Sequence, residues 1–466
     1  MLTPERTGLL KSFLGSLPEQ IAARLAQAVE VDRLVDGKSL PHEMILDGLR
    51  PALRRAAGAE RTPTPLRAFC LPFEDLFTLH PRKAKQKGSI ARGSVMPVWS
   101  WVSQTLLVEQ SKDYIRDFKA LVFAGKHAQA RACAAAFWPV AGAALNAALA
   151  EPKKARAVLG SELVTADAAE MALLLGVGPD VVEVQGLLPR LVPSLTEDLL
   201  HALRLIYDRL IANTPDAAPY VAVIAMHRLI RPWEALKLPL LVSRQTQDTL
   251  ISSTDMGLVG EILFGEIEIH GNAVRAVKPP NFDAAELLEP LSRFTTLSSG
   301  IVKGIDMRRD GKWGQRLMKD RADLAAVMDG YMERAPKELA QALPMQKSGG
   351  FGGGPKYPDF AKPVDADKSD RALRYARLVV GCKTLAAAAS FHASQKKADE
   401  EMCQLLRSYN EDVVKELRIA EGPRRAVVES QFEIVCGLTA ILFSEEESDL
   451  LRRRGKAAIL AAAQVA

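Results

Sequence analysis

Five cations crowd eleven residues of this chain: Arg82, Lys83, Lys85, Lys87 and Arg92. No acidic residue stands between Asp75 and Glu109, so the segment is a local positive surface in a stretch rich in loop formers. Such a surface neutralises phosphates and releases their counterions. Ser89, Ser94 and backbone amides near Gly88 and Gly93 would add hydrogen bonds, and Trp99 or Trp101 a stacking face. The competing reading is a connector whose cations dock on acidic residues of the same chain. Both Trp residues also sit in an apolar helical run, where core packing is their ordinary role.

A second pattern is the alternation Glu266, Ile267, Glu268, Ile269, His270. On a strand it would put two carboxylates and an imidazole on one face, a donor set hard enough for a divalent cation. It equally makes the charged outer face of an edge strand, and no further donor can be placed. No metal site and no cofactor are therefore expected.

The run Gly349, Gly350, Gly352, Gly353, Gly354 with Lys356 lacks the GxxxxGK[ST] spacing of a phosphate loop and is followed by Pro355 and Pro358, which reads as a linker. Ser394 and Lys397 have the spacing of a serine–lysine nucleophile pair but none of its companion motifs. His227 and Glu234 could form a general acid–base pair, although geometry and not spacing decides such sites. Five widely scattered cysteines without a CxxC pair argue against a disulfide framework or structural zinc and point to a reducing cytosol.

Helices must position all of these groups. Apolar residues recur at helical spacing through most of the chain, with Pro and Gly at the breaks. The spacing predicts a first helix over 18–35, with Ile21, Leu25, Ala28, Val29 and Leu34 on one face, and one or two helices over 94–124 broken at Gly125. Short helices separated by prolines follow from 165 to 243. The period-two segment Gly265 to Val277, with Gly271 and Asn272, predicts a small β-hairpin. Stripes through Leu287, Leu291, Phe294, Ile301 and then Trp313, Leu317, Leu324, Met328, Tyr331 predict a long antiparallel helical hairpin with coiled-coil character. Helices over 367–395, 399–419 and 424–443 and a short last one complete a C-terminal bundle.

The expected fold is all-α: a mixed helical domain over 1–275 carrying the basic loop at 80–94, a helical hairpin over 280–344, a Gly/Pro-rich linker over 345–365 and a bundle over 366–466. Residues 132–150 carry no charge but are mostly alanine, with few of the side chains that drive membrane insertion, so no transmembrane segment is expected. Glu5 and Arg6 within an amphipathic start do not read as a secretory signal. Lys+Arg outnumber Asp+Glu by 20 to 13 over residues 1–150, fall behind 13 to 19 over 151–295, and lead again 28 to 24 over 296–466. An acidic middle between basic ends suits contacts within the chain or between subunits.

These features point to a non-catalytic cytoplasmic interaction or scaffold protein, with a protein partner or a second copy of itself. The alternative is binding of an anionic partner, nucleic acid or lipid head groups, through Arg82 to Arg92. An enzyme of unrecognised type ranks third.

Overall fold

A computed structural model describes residues 10, 13–14, 17, 19–34, 41–42, 45–46, 48–49, 63–78, 84–189, 191–243, 257–305, 307–347 and 356–465. Among these residues 18 α-helices carry nearly all regular structure, beside two pairs of very short strands. The fold is all-α. The chain divides into two compact units, one formed by Met1–Lys85 and Ser89–Val182, the other by Gln86–Gly88 and Glu183–Ala466.

In the first unit, α1 (Glu19–Leu34) buries Ala22 and Val29. Ala22 clusters with Leu14 and Leu49, while Ile21 is exposed, so the buried face is turned by one residue from the one expected. Helix α2 (Pro65–Cys70) starts where Thr64 Oγ1 accepts the Arg67 N–H and Pro65 occupies the first turn, two ordinary start signals. Strands β1 (Phe77–Thr78) and β2 (Ile90–Ala91) pair in parallel. Helix α3 (Val95–Trp101) passes through one π-helical turn, Val102–Leu106, into α4 (Val108–Phe123), and Gly125, at φ 70°, reverses the chain.

The core of this unit is α5 (His127–Leu149) against α7 (Glu162–Gly176), joined by α6 (Pro152–Leu159). Their backbones approach closely at Gly142, where a Cβ would lie 2.9 Å from the Ala172 carbonyl oxygen. An aromatic cluster fills the other side of α5: Tyr114 stacks on Phe137 at 4.4 Å between centroids, and Trp99 lies 4.9 Å from Phe69. The two Trp residues weighed as stacking platforms are core residues, Trp101 buried and Trp99 half-buried.

Helix α8 (Gly178–Leu187) runs across the division into the second unit. There α9 (Glu197–Asn213) runs for 17 residues, whereas α10 (Tyr220–His227) and α11 (Lys237–Ser243) are short, with prolines in the connections. The segment expected as a β-hairpin belongs instead to α12 (Leu258–Ala276). Ile262, Leu263, Phe264, Ile267, Gly271 and Val274 are buried at steps of three and four, whereas Ile269 is exposed. Five alternating residues match period two, but the longer window obeys the helical period, and tertiary burial follows the longer window.

Both helices of the expected hairpin form, α13 (Ala284–Gly304) and α14 (Lys312–Ala342), with their apolar stripes buried. Their main neighbours are other helices: α13 packs chiefly on α12, and α14 on α15 (Ala366–Gly381) and α16 (His392–Leu417). Helices α12 and α13 pack on one another within the second unit. Strands β3 (Met345–Lys347) and β4 (Lys356–Pro358) pair antiparallel at either end of the glycine run, whose residues 348–355 lie outside the described residues. Buried Gln431 donates to the Asp359 and Lys362 carbonyls at 3.0 and 2.7 Å, tying the chain after β4 to α17 (Gly422–Leu442). The last helix is α18 (Glu445–Val465).

Three residues of the basic loop, Gln86–Gly88, belong to the second unit. Gln86 Nε2 donates to the Glu261 carbonyl at 3.3 Å, and Gly88 turns at φ 81°. A Cβ on Gly88 would come within 2.4 Å of Ile262 Cδ1, so both the backbone conformation and the close approach call for glycine.

Candidate functional site

The best-defined cluster of ionisable groups in the first unit forms where the basic loop returns to α7. Asp167 and Glu170 sit one turn apart on α7 and are both buried. Lys85 Nζ lies 2.5 Å from Asp167 Oδ1 and 2.5 Å from Glu170 Oε2, and donates to the Ser89 carbonyl at 2.6 Å. An ammonium has three protons, and these three acceptors use them all. The second Asp167 oxygen accepts the Ala91 N–H at 3.0 Å and the Ser94 hydroxyl at 2.6 Å. One acidic side chain thereby holds Lys85, the last residue of β2 and Ser94 at the start of α3.

Chemically this is a closed arrangement. Lys85 has no proton left for a phosphate, and the Ser94 hydroxyl, which a ligand would need, is buried and donated to Asp167. Pairing satisfies charges that would otherwise be costly to bury. Of the other loop cations, Lys87 and Arg92 are exposed, with the Arg92 guanidinium 5.9 Å from the centre of the Phe77 ring. Arg82 and Lys83 lie outside the described residues.

The remaining candidates are dispersed. On a helix, Glu266 and His270 are one turn apart on one side, while Glu268 points elsewhere and accepts from Arg316 at 3.2 Å, so the expected three-donor face does not exist. Burial pushes the His270 imidazole below its ordinary value, with Glu266 and Glu289 opposing and Arg293 adding to the shift. No group of three or more metal-ligating side chains occurs among the described residues. His227 is exposed at the end of α10. Glu234 is buried and accepts from the Leu195 N–H at 2.9 Å and from Lys237 at 3.0 Å. Ser394 donates to Asp329, whereas Lys397 reaches toward Glu401 at 4.0 Å.

A polar seam that sequence spacing could not disclose joins α12 to α14. Glu261 accepts from Lys312, from the Trp313 indole N–H and from Arg316, at 3.0, 3.1 and 3.1 Å. Burial raises its carboxyl and these bonds lower it, with a net fall below the usual value. The five cysteines are free thiols.

Helix α5 is long and apolar enough, by length and composition, to cross a membrane, and 33% of its most apolar window is buried. Ala130, Ala134, Phe137, Trp138, Ala141 and Leu145 face inward. The opposite side, through Ala132, Ala136, Pro139, Val140, Ala143 and Ala147, is exposed.

No known protein family, no curated protein and no solved structure matches the chain.

Proposed function

We propose that the protein is a non-catalytic cytoplasmic interaction protein that pairs with a second copy of itself through the outer side of α5. The observation that carries this reading is the uncharged exposed strip of that helix. A solvated helix face ordinarily carries charge, yet no charged residue occurs from Ala132 to Ala150, a span of roughly 28 Å at helical rise. Val140 is 45% exposed on it, and Phe123, just before α5, is 94% exposed. An uncharged strip of small side chains lets a second helix approach closely and lie against it without burying a charge.

Self-pairing is favoured by the small side chains of the strip. Two copies running antiparallel would set alanines against alanines, which allows close approach of the two helices. A bilayer is a poorer occupant, because alanine contributes little to insertion. Scattered free thiols fit a reducing compartment.

Sedimentation of the full chain tests the reading: a dimer is expected, dissociated by Ala136→Glu and by Ala143→Glu on the strip. A monomer at every concentration would overturn it. Polyanion binding through Arg82, Lys83, Lys85, Lys87 and Arg92 is the competing proposal, and in it Lys85 would first have to leave Asp167 and Glu170. Replacing Arg82, Lys83, Lys85 and Lys87 by Ala should leave binding to DNA and to anionic vesicles unchanged on the interaction reading; a salt-dependent loss would favour the alternative.

A further inference from the structure

We propose that an open cleft in the first unit, between α6 and the first turns of α7, binds a small organic carboxylate with a short hydrocarbon body. The cleft has a volume of about 420 Å³, within the range of small-molecule sites. Its floor is apolar: Leu149 at the end of α5, Pro152 at the start of α6, and Ala166 and Ala169 on α7. These side chains leave no donor or acceptor to hold a polar body, so the part of a ligand lying on them is hydrocarbon.

The rim supplies the opposite chemistry. Lys153 and Arg156 stand three apart on α6, hence on one side of the helix, and both line the cleft. Two like charges at this spacing repel, and an anion between them relieves the repulsion. Lys153 has no ion-pair partner among the described residues. Among the described residues Arg156 is met by Glu162, which also lines the cleft, at 3.7 Å, a long contact between side chains 65% and 85% exposed, which water screens. Two cations against one carboxylate leave the rim a net positive charge. A carboxylate fits it better than a single-point acceptor does, since a guanidinium presents paired donors to two oxygens while the ammonium binds from the side. Thr165 on the wall donates its hydroxyl proton to the Ser161 carbonyl at 2.9 Å and so adds no donor of its own.

An open cleft excludes water from one side of a ligand only, so a dissociation constant on the order of 1 mM is expected for a ten-atom ligand. Octanoate titrated into the full chain at low salt, followed by calorimetry and ligand-observed NMR, is the test. Saturable binding is expected, about tenfold tighter than that of octanamide, and octylamine should not bind. Lys153→Glu combined with Arg156→Glu should weaken octanoate by about tenfold or more; both sites are exposed, so helical content and melting should stay the same, and this is checked alongside. Ala166→Leu, which fills the floor, should weaken octanoate and octanamide alike. No saturation by about 10 mM, ten times the expected constant, would overturn the proposal. Equal binding of octanoate and octanamide, or undiminished octanoate binding by the folded double variant, would overturn it too.

Discussion

Lys85 and Asp167 stand 82 positions apart in the chain and meet at 2.5 Å, with Glu170 closing the other side of the ammonium. Asp167→Ala should destabilise by about 3 to 5 kcal/mol, because it removes one of the three acceptors of Lys85 and the carboxylate oxygen to which the Ala91 N–H and the Ser94 hydroxyl donate. Urea denaturation checks this, and a midpoint equal to the parent's would mean the cluster holds nothing together. Combining Lys85→Met with Asp167→Leu should cost at least as much as Asp167→Ala alone, because it also takes the ammonium away from the buried Glu170 carboxylate.

Leu317 and Leu324 are 3% and 0% exposed on α14. Either one changed to Ala should lose about 2 to 5 kcal/mol, through lost burial and the cavity left behind. Unchanged thermal melting would place these side chains outside the core.

Gly88 calls for a different probe. Gly88→Ala must adopt a left-handed backbone and push its Cβ against Ile262, a combination expected to cost about 1 to 3 kcal/mol. Amide exchange around Ile262 should accelerate in the variant more than it does around Leu324, which lies far along the chain.

The His270 shift has a definite sign. Its pKa in the folded chain lies below its ordinary 6.5, chiefly through burial, so the unfolded chain binds the proton more readily. Stability should therefore decline as pH falls from about 6.5, and His270→Gln should flatten that limb in denaturation curves at graded pH.

Glu234 has the opposite consequence. Burial pushes its carboxyl up, but the Leu195 N–H, Lys237 and Arg231 together hold it below its ordinary 4.5. Its contribution is present above 4.5 and is lost as pH falls through the lower folded value. Glu234→Gln should be less stable at neutral pH and show a shallower acid limb; parallel acid limbs in the two proteins would contradict this.

The long helices were legible because each carries an apolar stripe that stays in phase over five or more turns, as from Trp313 to Ala335. Phase says which face is buried and nothing about its neighbour, so the partnership of α14 with α15 and α16 was not visible and an adjacent hairpin stood in its place. The misreading at 265–277 has a similar cause: Glu266 to His270 is too short to separate two periods, and the distinguishing residues, Ile262 and Val274, lie outside it. The sequence raised the docking of the basic loop on acidic residues of the middle region, but the choice of Asp167 and Glu170 depends on a contact spanning more than eighty residues. The cleft at Lys153 and Arg156 left no periodic mark at all, since it arises from the angle between two helices.

The small strap Gln86–Gly88 sets a timetable for synthesis. Its contact with Glu261 spans 175 positions, so on the ribosome the strap emerges long before the helix that receives it. At 5 to 20 residues per second that wait lasts roughly 10 to 35 seconds. During it the Gln86 amide has no docking site in the second unit, and a nascent chain arrested before residue 261 should be cleaved by trypsin at Lys87 far faster than the finished protein.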